Sequence, residues 1–175
     1  MSRFVASLSL ALLVTGCPRA KRELPADPPG MDRIESAKLS IPKPDGYEQV
    51  TTGAESVDGV TTRGGIALVR SRQGQAPTTI VVDPGQTAVS RWSRRDCEKV
   101  SQRVAEQRSA SVRSHDVASL PTGEACHFVT EGGDGRPTEF YYVAGKPPYI
   151  VACLGEASHL AAQCRYVASW IRSKP

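Results

Sequence analysis

The chain of 175 residues has a net charge of +4, and 39% of it is hydrophobic, a share that becomes about 45% once glycine is counted and tyrosine left out. That value excludes a wholly disordered chain, the 15 glycines follow no collagen period, and no apolar run approaches the roughly 20 residues of a membrane-spanning helix. The mild basicity is too small to imply nucleic acid unless it is concentrated in one patch. The 5 cysteines are an odd number, which a framework made only of disulfides does not allow.

The N-terminus accounts for the odd cysteine. Arg3 is a short positive region, Phe4 to Val14 is an apolar run, and Val14-Thr15-Gly16-Cys17 closes it. This is the layout of a secretory signal, too short to span as a mature helix. Its ending resembles the lipobox of bacterial lipoproteins: a branched apolar residue, two small residues, then cysteine. The resemblance implies removal of residues 1–16, a diacylglyceryl thioether on Cys17 and an acyl chain such as palmitate on the new amino group. Each buried methylene then contributes ~0.8 kcal/mol to anchoring in the membrane. An Asp after the lipidated cysteine favours the inner membrane in some bacteria. Pro18 stands there instead, so the expected location is the cell envelope, on the outer membrane, facing the periplasm or the cell surface.

Residues 17–33 read as the lipidated cysteine and a flexible tether. Pro18, Pro25, Pro28, Pro29 and Gly30 lie among charged residues without hydrophobic periodicity. A single domain over 34–175 follows. Its core is thin: Leu, Ile, Val and Phe make up 29 of the 159 residues from Cys17 onward. A core this small calls for covalent staples.

Within the domain, Ala37 to Ile41 reads as a strand stopped by Pro42-Lys43-Pro44, with Tyr47 to Thr51 a second short element. Glycines 53, 59, 64 and 65 punctuate a loop-rich stretch. Ile66 to Arg70 and Thr78 to Val82 read as strands, the latter ended by Asp83-Pro84-Gly85. A helix follows over Ser90 to Arg108, with Cys97, Val100 and Val104 on one face and Arg95, Lys99 and Arg103 on the other. Ser93 with Asp96 is a capping box for a shorter version of it. Strands at Val112 to Ala118, Glu124 to Thr130, Thr138 to Val143 and Tyr149 to Leu154 are joined by short, turn-rich connections, which makes an antiparallel meander. Leu160, Cys164, Val167 and Ile171 form one apolar stripe on a closing helix. The economical fold is α+β, an antiparallel sheet with amphipathic helices packed on it.

Export makes disulfides expected for Cys97, Cys126, Cys153 and Cys164, which allow three pairings. Cys153 ends a strand and Cys164 lies on the apolar face of the next helix, so the helix folding back joins these two. Cys97 is then left to reach Cys126. Close Cys-x-x-Cys pairs, needed for redox or zinc sites, are missing from the sequence.

Candidate chemistry is sparse. His115, His127 and His159 are widely spaced and show no metal-binding pattern. His115-Asp116 lacks a Gly-x-Ser-x-Gly elbow to supply a nucleophile. Gly64-Gly65 and Gly132-Gly133-Asp134-Gly135 match no nucleotide fingerprint, and the second reads as a hairpin turn. Arg91 to Arg113 holds seven basic against three acidic residues, the pattern of a solvated helix face, with a patch for an acidic partner, a lipid headgroup or an envelope polysaccharide as the alternative, and it lacks the interleaved aromatics of a nucleic-acid site beyond Trp92. Phe140, Tyr141, Tyr142 and Tyr149 lie on adjacent strands, and alternation sends half of them to each face.

The opening Leu39-Ser40-Ile41-Pro42-Lys43-Pro44-Asp45-Gly46-Tyr47, a strand running into a Pro-Gly-aromatic turn, resembles the start of PsbP-like domains. The order of strands, helix, meander and closing helix is similar over Ser36 to Ile171. The resemblance implies an α/β/α sandwich and transfers no catalytic residues, because that family serves mainly as binding or assembly modules. The glycine-rich stretch Gly53 to Gly65 departs from it. The expectation is therefore a lipid-anchored envelope lipoprotein, non-enzymatic and without cofactor or metal, that binds an envelope protein or polymer and no nucleic acid. The alternatives are a carrier for a small apolar ligand held between sheet and helix, or an unrecognised envelope hydrolase.

Overall fold

The computed structural model describes residues 25–50, 56–57, 60–61, 65–71, 73–74, 76–85, 88–146, 148–155 and 160–174. The signal segment, Cys17 and most of the glycine-rich stretch lie outside the described residues.

In chain order the elements are β1 (Arg33–Glu35), β2 (Leu39–Pro42), β3 (Glu48–Val50), β4 (Ser56–Val57), β5 (Val60–Thr61), β6 (Ile66–Arg70), β7 (Thr78–Pro84), α1 (Arg94–Gln107), β8 (Ser111–Leu120), β9 (Gly123–Glu131), β10 (Pro137–Val143), β11 (Tyr149–Leu154), α2 (Leu160–Ser169) and β12 (Arg172–Ser173). A seven-stranded sheet runs β3-β6-β7-β11-β10-β9-β8, antiparallel at every pairing. The meander expected from the turn spacing is β8 to β11. After β7 the chain crosses through α1 to the far edge at β8, then returns strand by strand until β11 pairs with β7. The fold is α+β.

Several boundaries have a local cause. Ser93 is the N-cap of α1, its Oγ accepting from the Asp96 backbone N–H at 3.1 Å, so the helix starts at Arg94 rather than at Ser90. β7 runs on through Asp83 and Pro84 because Pro84 lies opposite Tyr149 at the end of the ladder, where its missing N–H is tolerated. Gly46 adopts φ +77° in the turn between β2 and β3, and Gly155 adopts φ +134° just after β11. A Cβ on Gly155 would also lie 2.7 Å from Thr78 Cγ2, so this exit from β11 requires glycine twice over.

Side chains alternate across the sheet and divide the core in two. On one face Ala125, Tyr141, Val143, Val151 and Cys153 meet Leu160, Cys164, Val167 and Ala168 of α2, with Leu39 and Ile41 of β2 in the same cluster. On the other face Cys126, Phe128, Phe140 and Ala152 meet Trp92 and Cys97, with Val100 and Val104 of α1 packed against them. The apolar stripes foreseen on both helices are thus inward, although the deepest line on α1 is Cys97, Ser101 and Ala105, and Ile171, also buried, lies past the end of α2 rather than on it. Ser101 satisfies its buried hydroxyl by donating to the Glu98 carbonyl at 2.8 Å.

A three-stranded sheet, β1-β2-β12, completes the α2 face. Its outer strands are three and two residues long, too short to leave a periodic signal in sequence. Arg33 holds it together, donating to the carbonyls of Ser40 and Trp170 at 2.8 Å each. The carboxylate of Asp27, within the segment read as tether, accepts from Arg33 at 3.0 Å and from Arg172 at 2.8 Å.

The disulfides are Cys97–Cys126 and Cys153–Cys164, the pairing that follows from folding each helix onto its strand. One ties α1 to β9 and the other ties α2 to β11. The loops they close span 29 and 11 residues, for which chain entropy gives ~3.6 and ~2.8 kcal/mol. Replacing Cys97 and Cys126 together by Ala should lower stability more than replacing Cys153 and Cys164, by roughly 1 kcal/mol, as read by denaturant unfolding followed by circular dichroism.

Candidate functional site

α1 packs on β8 and β9, the edge pair of the sheet. Beyond it the same face continues over β10 and β11 and forms the floor of a groove of about 830 Å³. Val89 and Trp92 line one end, Val100 and Arg103 line the helix side, and Tyr142 and Ile150 line the floor. The volume falls in the range of small-molecule sites. Trp92 crosses edge to face with Tyr142 at 6.4 Å between centroids, and Phe128 stacks on Phe140 at 4.9 Å behind it. Burial raises the Tyr142 phenol above its ordinary value, so it stays protonated and a donor at neutral pH.

The polar lining of the groove carries both signs, with Arg91 and Arg103 beside Asp83 and Asp96. Trp92 is only 8% exposed, and its indole N–H is buried without a hydrogen-bond partner among the described residues. Asp96 is engaged at the helix start, its Oδ2 accepting from the Ser93 hydroxyl at 2.6 Å. Arg91 lies 3.7 Å from Glu124. Asp83 is turned toward Gly65, where an added Cβ would lie 2.2 Å from its Oδ1.

The opposite face carries a network of titratable groups. Register places Asp116 of β8, His127 of β9 and Tyr141 of β10 side by side, with Glu139 two residues before Tyr141. His127 Nδ1 lies 3.0 Å from Asp116 Oδ1, and Nε2 lies 2.8 Å from Glu139 Oε1. The same Glu139 oxygen accepts from the Tyr141 hydroxyl at 3.0 Å, and the Tyr141 ring stacks on the imidazole at 4.5 Å. Burial pushes the His127 imidazole down, but the hydrogen bonds and charges of Glu139 and Asp116 outweigh it and raise it above 6.5. Burial and Glu139 push the Tyr141 phenol far up, with Arg165 of α2 pulling the other way. A neutral imidazole has one N–H and serves one carboxylate; the imidazolium serves both.

No family model and no curated protein matches the chain.

The sequence candidates are distributed as follows. Cys97, Cys126, Cys153 and Cys164 are consumed in disulfides. Cys17 and His159 lie outside the described residues. His115 pairs with Phe128 and therefore faces α1, whereas Asp116 faces α2 and serves His127, so the dipeptide is split between faces. Gly132 to Gly135 form the β9–β10 turn, closed by the Gly135 N–H to the Gly132 carbonyl at 3.0 Å. Arg95, Lys99 and Arg103 are exposed on α1, as a solvated face requires. Phe140 and Tyr142 join the α1 face, Tyr141 and Tyr149 the α2 core. Among the described residues no group of three His, Cys, Asp or Glu side chains is placed to hold a metal ion. The groove and the Asp116–His127–Glu139 line were not legible in sequence, since both depend on which strands neighbour one another.

A raised imidazole contributes stability that is complete below the unfolded value near 6.5 and is lost as pH rises through the folded value. Denaturation midpoints measured from about pH 5 to pH 9 should therefore fall toward the alkaline side. His127→Gln should flatten that fall; an unchanged slope in the variant would assign it elsewhere.

Proposed function

We propose that this chain is a lipid-anchored lipoprotein of the bacterial cell envelope, probed by its partners as a non-catalytic binding or assembly module. The observation that carries the reading is Val14-Thr15-Gly16-Cys17 after a signal-type apolar run, which leaves Cys17 as the acylated residue and four cysteines for bridges. The two disulfides support it, since such bonds persist in oxidising compartments. The opening strand, the Pro-Gly-aromatic turn and helices on opposite faces of an antiparallel sheet support a PsbP-like α/β/α sandwich. The hydrolase alternative loses ground because both ring nitrogens of His127 face carboxylates, leaving neither for a serine hydroxyl. A second reading, carriage of a small apolar ligand, is favoured by the groove between α1 and the sheet.

Cys17→Ser should abolish incorporation of an alkyne-tagged palmitate and leave an unprocessed precursor. Full labelling and normal maturation of the variant would sink the anchor reading. In crosslinked envelopes the tagged wild-type chain should trap a specific partner under conditions that capture other lipoproteins; its failure to do so would count against a binding module.

A further inference from the structure

We infer that Asp27 clamps the chain that follows the acylated Cys17 onto the domain, and that this clamp sets the end formed by β1, β2 and β12 against the phospholipid headgroups. This rests on the anchor reading and adds to it the face that meets the bilayer. Asp27 belongs to the segment that reads as tether, yet one of its carboxylate oxygens accepts from Arg33 at 3.0 Å and from Arg172 at 2.8 Å. Arg172 also donates to the Pro25 carbonyl at 3.2 Å. Arg33 is held in turn by the carbonyls of Ser40 and Trp170, so the segment is tied to β1, β2 and β12 together. The side chains of Arg33 and Asp27 are 14% and 27% exposed, and salt screens such a pair less than one on the open surface.

The clamp halves the reach of the anchor. Eight links separate Cys17 from Pro25, and fully extended they span about 28 Å. Released as far as Arg33 the chain would have sixteen links and span about 56 Å. A domain of this size is about 38 Å across. The small sheet packs on the α2 side of the seven-stranded sheet and α1 on the other. A reach below the width of the domain therefore keeps α1 and its groove turned away from the bilayer. Trp170 stands at the clamped end, its carbonyl on Arg33, and belongs to neither core cluster although it is partly buried. Tyr166, four residues earlier, has Arg33 and Asp27 within electrostatic reach of its phenol. A partly exposed Trp and Tyr have the amphipathic character of side chains that settle at headgroup level. Net charge does not supply the attraction. Glu35 pairs with Lys174 and Asp27 with the two arginines, and Lys38 and Lys43 are balanced in number by Asp32 and Asp45.

The test uses the mature chain purified from envelopes in detergent and returned to vesicles of phosphatidylcholine brominated near the headgroup end of its acyl chains. Mass spectrometry of the same sample reads the acyl group on Cys17. Trp170→Phe leaves Trp92 as the single tryptophan, and the difference from the unsubstituted chain is the emission of Trp170. Trp170 should be quenched at least about threefold more strongly than Trp92. Asp27→Ala should cut the quenching of Trp170 by about half or more, since the reach of the anchor doubles, with circular dichroism showing the fold retained. An insertion of about 20 Gly and Ser residues between Arg22 and Glu23 lies outside the domain and should cut it likewise, whatever Asp27→Ala does to folding. Equal quenching of the two tryptophans, or stronger quenching of Trp92, would overturn the inference and leave the anchor reading standing. So would quenching of Trp170 that neither Asp27→Ala nor the insertion lowers. A chain without an acyl group that stays off the vesicles would remove the anchor reading and the inference together.

Discussion

Cys97 on α1 is bonded to Cys126 on β9, and Cys164 on α2 is bonded to Cys153 on β11, so each face of the seven-stranded sheet has one helix tied to it covalently. The rest of the molecule leans on this constraint. The aliphatic content is low for a domain of this size, and much of the core is alanine, cysteine and tyrosine. Small side chains bring helices close to a sheet but bury little apolar area each, and the crosslinks compensate by restricting the unfolded chain. All four sulfurs sit on residues with no exposed surface, at the centre of their respective layers.

With the helices fixed, the two faces diverge. On the α2 side a second small sheet fills the layer, and polar side chains that alternation sends inward are paired: His127 between two carboxylates, Tyr47 between Thr78 and Gln163 at 3.0 Å each. On the α1 side one helix covers the β8–β9 edge, and the neighbouring strands border a groove. The aromatic wall of Trp92, Tyr142, Phe128 and Phe140 makes that border rigid, because each ring is held against the next. The α2 face is thus paired and filled, and the α1 face leaves a groove open beside the helix.

Much of the fold was legible along the chain. β6 and β11 coincide with the runs of apolar and β-branched residues at 66–70 and 149–154, and the capping pair Ser93–Asp96 marks the true start of α1. The short strands β1 and β12 were not legible, because three and two residues carry no period, and their pairing with β2 is set by Arg33 reaching carbonyls 7 and 137 residues away. The buried Ser101 was likewise hidden, since its hydroxyl is satisfied by its own helix and its position on the face is decided by the tilt of α1.

By itself the sequence determined the strand and helix types, the direction in which each stripe faces, and the division of five cysteines into one at the signal boundary and four in the domain. Of the three pairings open to those four it favoured Cys97–Cys126 with Cys153–Cys164, and the tertiary structure decided for that one. Tertiary structure alone decided the neighbours of β7 and the register across β8, β9 and β10. Alternation assigns a side chain to a face, but not to the residue opposite it, which turns and a bulge at Val112/Ser114 set. That register is why Asp116 meets His127 rather than serving His115. The width of α1 against the width of the sheet is why a groove remains over β10 and β11.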